Sequence, residues 1–266
     1  MSAKGKVLFV YNLRKRGAAA AAAAGERWCL ERGIPAHTTP RREIELDGVE
    51  LVVAIGGDGT LLRVAGAIFP REVPIFGVNV GGALGFLSVG GAEALVPALE
   101  GYAAGKYRIE RRMRLSLEFG ERAFSALNDV VFVGPGAYRF TELFVRYRRE
   151  EVFSFAGDGL VVATPTGSTA YALSAGGPLL HPEVAAMLLV PLSPHALDLR
   201  PVVLPPEGEV EVEARYPVQV FVDGDRVGRL NRGERARITR AGAHTLFVRF
   251  PEQEGFFSRV RACFGG

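Results

Sequence analysis

The chain has 266 residues, 48% of them hydrophobic and 23% charged, with a formal net charge of +3. That fits one large domain or two modest ones with a packed core, in a protein of ordinary solubility. No apolar run is long enough to span a bilayer, and no aromatic-basic interleaving points to nucleic acid. Cys29 and Cys263 lie far apart without metal-type spacing. They suggest free thiols in a reducing compartment, and with no signal-like start a cytoplasmic protein is expected. His37, His181, His195 and His244 show no catalytic spacing and are read as structural.

In chain order, Lys6–Asn12 reads as a first strand and the alanine-rich Ala18–Gly33 as a helix closed by glycine. Ile34–Thr39 is a weak second strand. Leu51-Val52-Val53-Ala54-Ile55 is a short apolar run rich in β-branched residues, as expected of a buried parallel strand. Leu61–Phe69 reads as a helix stopped by Pro70, Val73–Asn79 as another strand, and Ala92–Ala104 as a helix. Strand and helix alternate, so this part is read as an α/β domain with a parallel sheet, spanning residues 1–104.

After Gly105 the pattern changes to short alternating or apolar pieces between turns. These are Tyr107–Phe119, Ala123–Val133, Glu142–Arg148, Val152–Phe155, Pro205–Ala214, Val218–Val222, Arg235–Thr239 and Thr245–Phe250. A β-rich second domain, residues 105–247, is expected. Asp223-Gly224 reads as a hairpin turn. The tail, 248–266, is apolar on alternate positions from Phe256 to Phe264 and is expected to return to the first domain. The arginine groups 108, 111, 112, 114 and 146, 148, 149 read as solvated strand or loop faces.

Two stretches carry chemistry. The first is Gly56-Gly57-Asp58-Gly59-Thr60, between a strand and a helix. Glycine admits a close ligand, and the free N–H groups of a new helix favour an anion such as phosphate. A carboxylate there would repel phosphate, so Asp58 needs a role of its own, either taking a proton from an attacking hydroxyl or holding a metal. The second runs from Ala156-Gly157-Asp158-Gly159 through Thr164-Pro165-Thr166-Gly167-Ser168-Thr169-Ala170-Tyr171 to Ser174-Ala175-Gly176-Gly177-Pro178. It is dense in glycine and small hydroxyls and suits close approach of a nucleotide. Between them, Phe86 in the loop Gly81–Leu87 is either a core plug or a nucleobase contact.

Together these stretches resemble the bacterial type of NAD kinase, over nearly the whole chain. The first motif alone is shared with lipid kinases of the diacylglycerol type and resembles phosphofructokinases. A lipid or sugar kinase is therefore the alternative, and a non-catalytic dinucleotide-binding regulator a third reading. The resemblance implies an α/β N-terminal and a β-rich C-terminal domain. It implies transfer of the γ-phosphoryl of ATP, or a phosphoryl of inorganic polyphosphate, to the 2′-hydroxyl of the adenosine ribose of NAD. Magnesium would come with the donor, and a homodimer or homotetramer is implied.

The residue roles come from the same resemblance. Asp58 is the general base, Gly57 and Gly59 admit the phosphates, and Arg63 faces the same site. Asn128 and Asp129 match the ribose-binding pair, although the family usually has glutamate where Asp129 stands. Phe86 and Thr166 match residues around the adenine, and Asp158 the residue at the nicotinamide end. Thr169, Ala170, Tyr171, Ala172, Leu173 and Ser174 match the remaining NAD-contacting loop. Arg139 matches a basic position, and Asp225 is a further candidate near the site.

Overall fold

The computed structural model describes residues 5–40, 43–81, 85–136, 140–251, 253 and 255–264. Chain contacts divide it into two compact units. One holds the residues up to Arg111 together with those from Thr245 onward, and the other holds Arg112–His244.

The first unit is α/β. Its elements are β1 (Lys6–Tyr11), α1 (Ala18–Leu30), β2 (Ala36–Pro40), β3 (Val49–Gly56), α2 (Asp58–Ile68), β4 (Ile75–Asn79), α3 (Leu95–Ala103) and β5 (Arg108–Arg112). The second unit follows with β6 (Leu115–Phe119), β7 (Arg122–Ala126), β8 (Asp129–Val133), β9 (Thr141–Tyr147), β10 (Glu150–Gly157) and β11 (Gly159–Ala163). It continues through α4 (Tyr171–Ser174), β12 (Met187–Leu192), β13 (Val202–Leu204), β14 (Val210–Ala214), β15 (Val218–Val222), β16 (Asp225–Leu230) and β17 (Arg235–Arg240). The chain then re-enters the first unit as β18 (Thr245–Arg249) and α5 (Phe256–Phe264).

In the first unit the strand order is β2-β1-β3-β4-β18-β5. β1, β2, β3, β4 and β18 pair in parallel. The apolar run at 51–55 is buried without a break, as a central strand covered on both faces must be. Its core combines Phe9, Trp28, Leu51, Val53, Phe76, Leu99 and Val248. The carboxyl ends of β1, β3 and β4 lie side by side, with Tyr11 opposite Ile55 and Gly56 opposite Asn79. In an open parallel sheet that edge is where ligands bind.

The second unit holds two sheets, β10-β9-β14-β17-β6-β7 and β13-β12-β11-β8-β15-β16, with antiparallel pairings. β14 and β17 alternate buried and less buried residues, as strands with one core-facing side do. β8 and β11 are buried almost throughout. One core cluster includes residues of both sheets, among them Leu117, Phe132, Val145, Leu160, Val212 and Ile238.

Three expectations need correction. The tail from Phe256 to Phe264 is helical. Its spacing of aromatic residues, with Phe256 and Phe257 adjacent, is too short to separate period 2 from period 3.6. The arginines grouped at 108–114 do not share a solvated face. Arg112 is 6% exposed and Arg114 fully buried, each hydrogen-bonded inside the second unit. The pieces read as 107–119 and 123–133 are each two strands. They break at Met113-Arg114 and at Leu127-Asn128, and β5 belongs to the first sheet, so the change of pattern after Gly105 precedes the change of sheet.

Candidate active site

In the first unit the turn Gly56–Thr60 joins β3 to α2, and Asp58 is the first residue of that helix. The preceding Gly57 is extended, and no side chain caps the helix. The N–H groups of Asp58 and Gly59 thus have no side-chain cap, whereas that of Thr60 turns back to the Gly57 carbonyl at 2.7 Å. The Asp58 carboxylate is held from the loop after β4. Its Oδ1 accepts from the Ser88 hydroxyl at 2.9 Å and its Oδ2 from the Leu87 N–H at 3.1 Å. A Cβ on Gly85 would lie 2.2 Å from Oδ2, so only glycine lets this loop close on the carboxylate. Each oxygen spends one lone pair on these bonds and keeps another for a substrate hydroxyl.

The loop is itself anchored. Arg249 donates to the Leu87 carbonyl at 2.9 Å and to Glu110 at 2.7 Å, in an ion pair whose side chains are 8% and 10% exposed. Arg259 of α5 donates to the Phe86 carbonyl at 2.6 Å. Phe86 is half-buried and stacks on Phe264, ring centroids 5.3 Å apart. The core-plug reading of Phe86 thus has a partner in the tail. Gly59 and Arg63 are exposed on α2.

Two residues at this edge were not singled out from sequence. Asn12, just past β1, donates to the Thr60 hydroxyl at 3.1 Å. Lys15 donates to the Gly81 carbonyl at 3.2 Å. The signal that could have found them is their place at the carboxyl end of the first strand, beside a run of Arg14, Lys15 and Arg16.

In the second unit Asn128 and Asp129 stand at the start of β8, where the backbone of Leu127–Asp129 is gripped on both sides. On one side the Asp223 carboxylate accepts three N–H groups: Leu127 at 2.8 Å, Asn128 at 2.7 Å and Asp129 at 3.2 Å. On the other, the Thr164 hydroxyl donates to the Leu127 carbonyl at 2.5 Å and the Thr164 N–H to the Asn128 carbonyl at 2.8 Å. Gly167 donates its N–H to the Thr164 hydroxyl, and a Cβ there would lie 2.1 Å from the Asn128 carbonyl oxygen. Asn128, Asp129 and the start of the Thr164–Ser174 block are therefore brought together.

Asp129 is 5% exposed. Burial pushes its pKa from 3.8 to about 7, and the nearby Asp223 carboxylate adds to the rise. Burial also raises Asp223, opposed by the three backbone N–H groups and by Arg114. The N–H groups and Arg114 around Asp223 favour its charged form, whereas burial and the Asp223 charge favour the protonated form of Asp129. The Asn128 Oδ1 is shut from solvent without a hydrogen-bond partner.

Thr166 is buried and accepts from Arg112 at 3.1 Å, and its carbonyl accepts from the Thr169 hydroxyl at 3.2 Å. Tyr171 and Ser174 are exposed on α4, Thr169, Ala170 and Leu173 are half-buried, and Ala172 is fully buried in a core cluster. A ligand can therefore meet Ala172 only through its backbone. Asp225 is exposed in β16. Asp158 is not brought to this group. Asp129 pairs with Ala163 at one end of β11, whereas Asp158 precedes Gly159 at the other, a strand length of about 16 Å away. Arg139 lies outside the described residues.

Among the described residues no group of three or more His, Cys, Asp or Glu side chains could hold a metal ion. At the glycine turn Asp58 supplies a carboxylate, which suits a magnesium ion that arrives on its own phosphate ligands.

The family model of the ATP-NAD kinase N-terminal domain matches residues 7–107, and that of the ATP-NAD kinase C-terminal domain residues 127–250. The NAD kinase of Moorella thermoacetica is 41% identical over 240 residues, 88% of this chain and 74% of that protein. That of Solibacter usitatus is 40% identical over 230 residues, 84% of this chain and 79% of its own. Among solved structures, an NAD kinase from Archaeoglobus fulgidus in complex with ATP aligns with a TM-score of 0.84 at 26% identity, covering 97% of this chain and 99% of that one. Yeast NADH kinase complexed with NADH shares the fold, with a TM-score of 0.88 at 21% identity, covering 98% and 87%.

Proposed function

The chain belongs to the NAD kinase family, and from that premise we propose that it transfers the γ-phosphoryl of ATP to the 2′-hydroxyl of the adenosine ribose of NAD, giving NADP and ADP. The observation that carries this reading is Asp58: a carboxylate at the open start of α2, oriented by Leu87 and Ser88, in a turn otherwise suited to phosphate.

The balance of the step is simple. A bond forms between the ribose oxygen and the γ-phosphorus, and the bond from that phosphorus to the bridging oxygen breaks. ADP leaves with the electron pair. The hydroxyl proton goes to Asp58, because a ribose hydroxyl attacks poorly unless its proton is accepted as the bond forms. Gly57 and Gly59 and the first N–H groups of α2 suit the donor's phosphates, with Arg63 one turn along the helix. Magnesium, bound through those phosphates, would neutralise charge on the oxygens.

The acceptor roles fall to the second unit. Asn128 offers an amide oxygen that lacks a donor, and Asp129 a carboxyl group that can accept or donate according to its protonation. A ribose diol has hydroxyls of both kinds. Buried Thr166 and the exposed Tyr171 and Ser174 of α4 are further NAD contacts in this reading, and Phe86 would meet the adenine only by leaving its stack on Phe264. Asp158 and Asp225 stand as further NAD contacts. Inorganic polyphosphate is proposed as a second donor, since the glycine turn addresses phosphates and not a base. Among the described residues no helix is long and apolar enough to cross a membrane. Both cysteines are free, which supports the cytoplasm as the compartment. A homodimer or homotetramer is the proposed assembly, to be read by sedimentation.

The test is Asp58→Asn. It keeps the size of the side chain and loses its ability to take a proton. NADP formation should fall about 10²–10⁴-fold while NAD affinity, read by calorimetry, stays within a few-fold. Turnover within a few-fold of the parent would remove Asp58 as the base.

A further inference from the structure

We propose that Asp223 is a positioning residue for the acceptor ribose: its carboxylate sets the backbone of Leu127–Asp129 so that Asn128 and Asp129 present their side chains to the ribose hydroxyls together. The inference rests on the ribose role given above to those two residues.

The hairpin turn alone does not account for Asp223. β15 and β16 are joined by Asp223-Gly224, both at positive φ, 49° and 83°. Asp-Gly is a good pair for such a turn. An aspartate there for its backbone alone could leave its side chain in solvent. Here the carboxylate instead accepts three consecutive N–H groups from a segment 94 to 96 residues earlier. Strand pairing cannot use three consecutive N–H groups pointing at one acceptor, because in a strand successive groups face opposite ways. The convergence on Asp223 accompanies the break between β7 and β8, where Leu127 and Asn128 leave regular pairing before Asp129 starts β8.

The grip is specific to an anion with two acceptor oxygens. Oδ2 takes Leu127 and Oδ1 takes both Asn128 and Asp129. Asparagine would offer one oxygen and set an N–H₂ group against at least one of the three donors. The negative charge has support beneath it. Arg114, fully buried and held by the Ser125 hydroxyl and carbonyl, lies within electrostatic reach of Asp223.

Asp223 also acts on Asp129 through space. The charged group facing Asp129 is the Asp223 carboxylate from the hairpin, and Arg114, from the segment between β5 and β6, faces Asp223. A negative charge beside a buried carboxyl keeps its proton on. Removing that charge therefore does two things: it frees the backbone of 127–129, and it lets Asp129 ionise at lower pH.

The experiment uses the full chain with Asp223→Asn and, separately, Asp223→Gly. Glycine accepts positive φ without strain, so the second variant removes the carboxylate while easing the turn. Both should raise the KM for NAD about tenfold or more. Both should leave the KM for ATP within about twofold. In both, loss of the Asp223 charge should move the ionisation of Asp129 to lower pH, read from the pH dependence of NAD affinity. A merely structural role would not confine the effect to the KM for NAD. Parent-like KM for NAD in both variants would overturn the proposal. So would a KM for ATP that rises with it in both, the mark of general loosening. A parent enzyme that makes no NADP would instead overturn the reading beneath.

Discussion

Asp129→Asn should stabilise the folded protein at pH 8 and do so much less at pH 4. Asp129 is 5% exposed, and burial with the adjacent Asp223 charge pushes its pKa from 3.8 to about 7. A carboxyl whose pKa is raised by folding holds more protons in the folded state than in the unfolded one. Between the two values, stability therefore falls as pH rises. Below 3.8 both states are protonated and the group is neutral in the balance; above about 7 both are ionised and the full penalty is in place. Each unit of displacement is worth about 1.4 kcal/mol, so the ceiling is roughly 4 kcal/mol at pH 8. Asparagine has the same shape and no charge to bury. Allowing for relaxation around the ionised group, a gain of about 2–4 kcal/mol at pH 8 is expected, equivalent to roughly 5–10 °C in Tm. Thermal melts of parent and variant from pH 4 to pH 9 supply the assay. The difference between them should grow from pH 4 to pH 7 and then level off. A pH-independent difference, or a variant less stable than the parent at pH 8, would refute the reasoning. The same variant should bind NAD more weakly, which is the cost that would keep a destabilising aspartate in place.

Ser88→Ala removes one of the two hydrogen bonds that orient Asp58, at 2.9 Å, and should lower kcat severalfold with the KM for NAD little changed, read by steady-state kinetics. Gly167→Ala puts a Cβ 2.1 Å from the Asn128 carbonyl oxygen, in the backbone that carries Asn128 and Asp129. It should weaken NAD binding at least tenfold and destabilise by about 1–3 kcal/mol, checked by calorimetry and urea unfolding. Glu110→Ala leaves Arg249 buried without its carboxylate partner and should cost about 3–5 kcal/mol in denaturant titration. Because Arg249 also holds the Leu87 carbonyl, a loss of turnover should accompany it.

Which parts of this site were readable in sequence follows from how local their causes are. The strand Leu51–Ile55, the turn Gly56–Thr60 and the start of α2 are contiguous, so residue types alone place Asp58 on a strand-to-helix turn. The dense block at 164–178 is contiguous too. Asp223 was readable only as half of a hairpin turn, because its acceptor role depends on donors at 127–129 that the pairing of β15 with β8 brings to it. Arg112 and Arg114 look like a charged face in a one-dimensional view. Their burial depends on Thr166 and Ser125, which the register of other strands supplies. The helical form of the tail was not legible for a different reason. A helix of Phe256–Phe264 carries too few apolar residues to set a period, and the stack of Phe264 on Phe86 is made in the tertiary structure.

The central claim is the acceptor atom, and one product analysis addresses it. The purified full chain is incubated with NAD, ATP and magnesium, and the product is isolated for phosphorus and proton NMR. A single new phosphate coupled to the 2′ position of the adenosine ribose, formed one-for-one with ADP, is the predicted result. Unchanged NAD while ADP accumulates, or a phosphate on any other hydroxyl, would contradict the account.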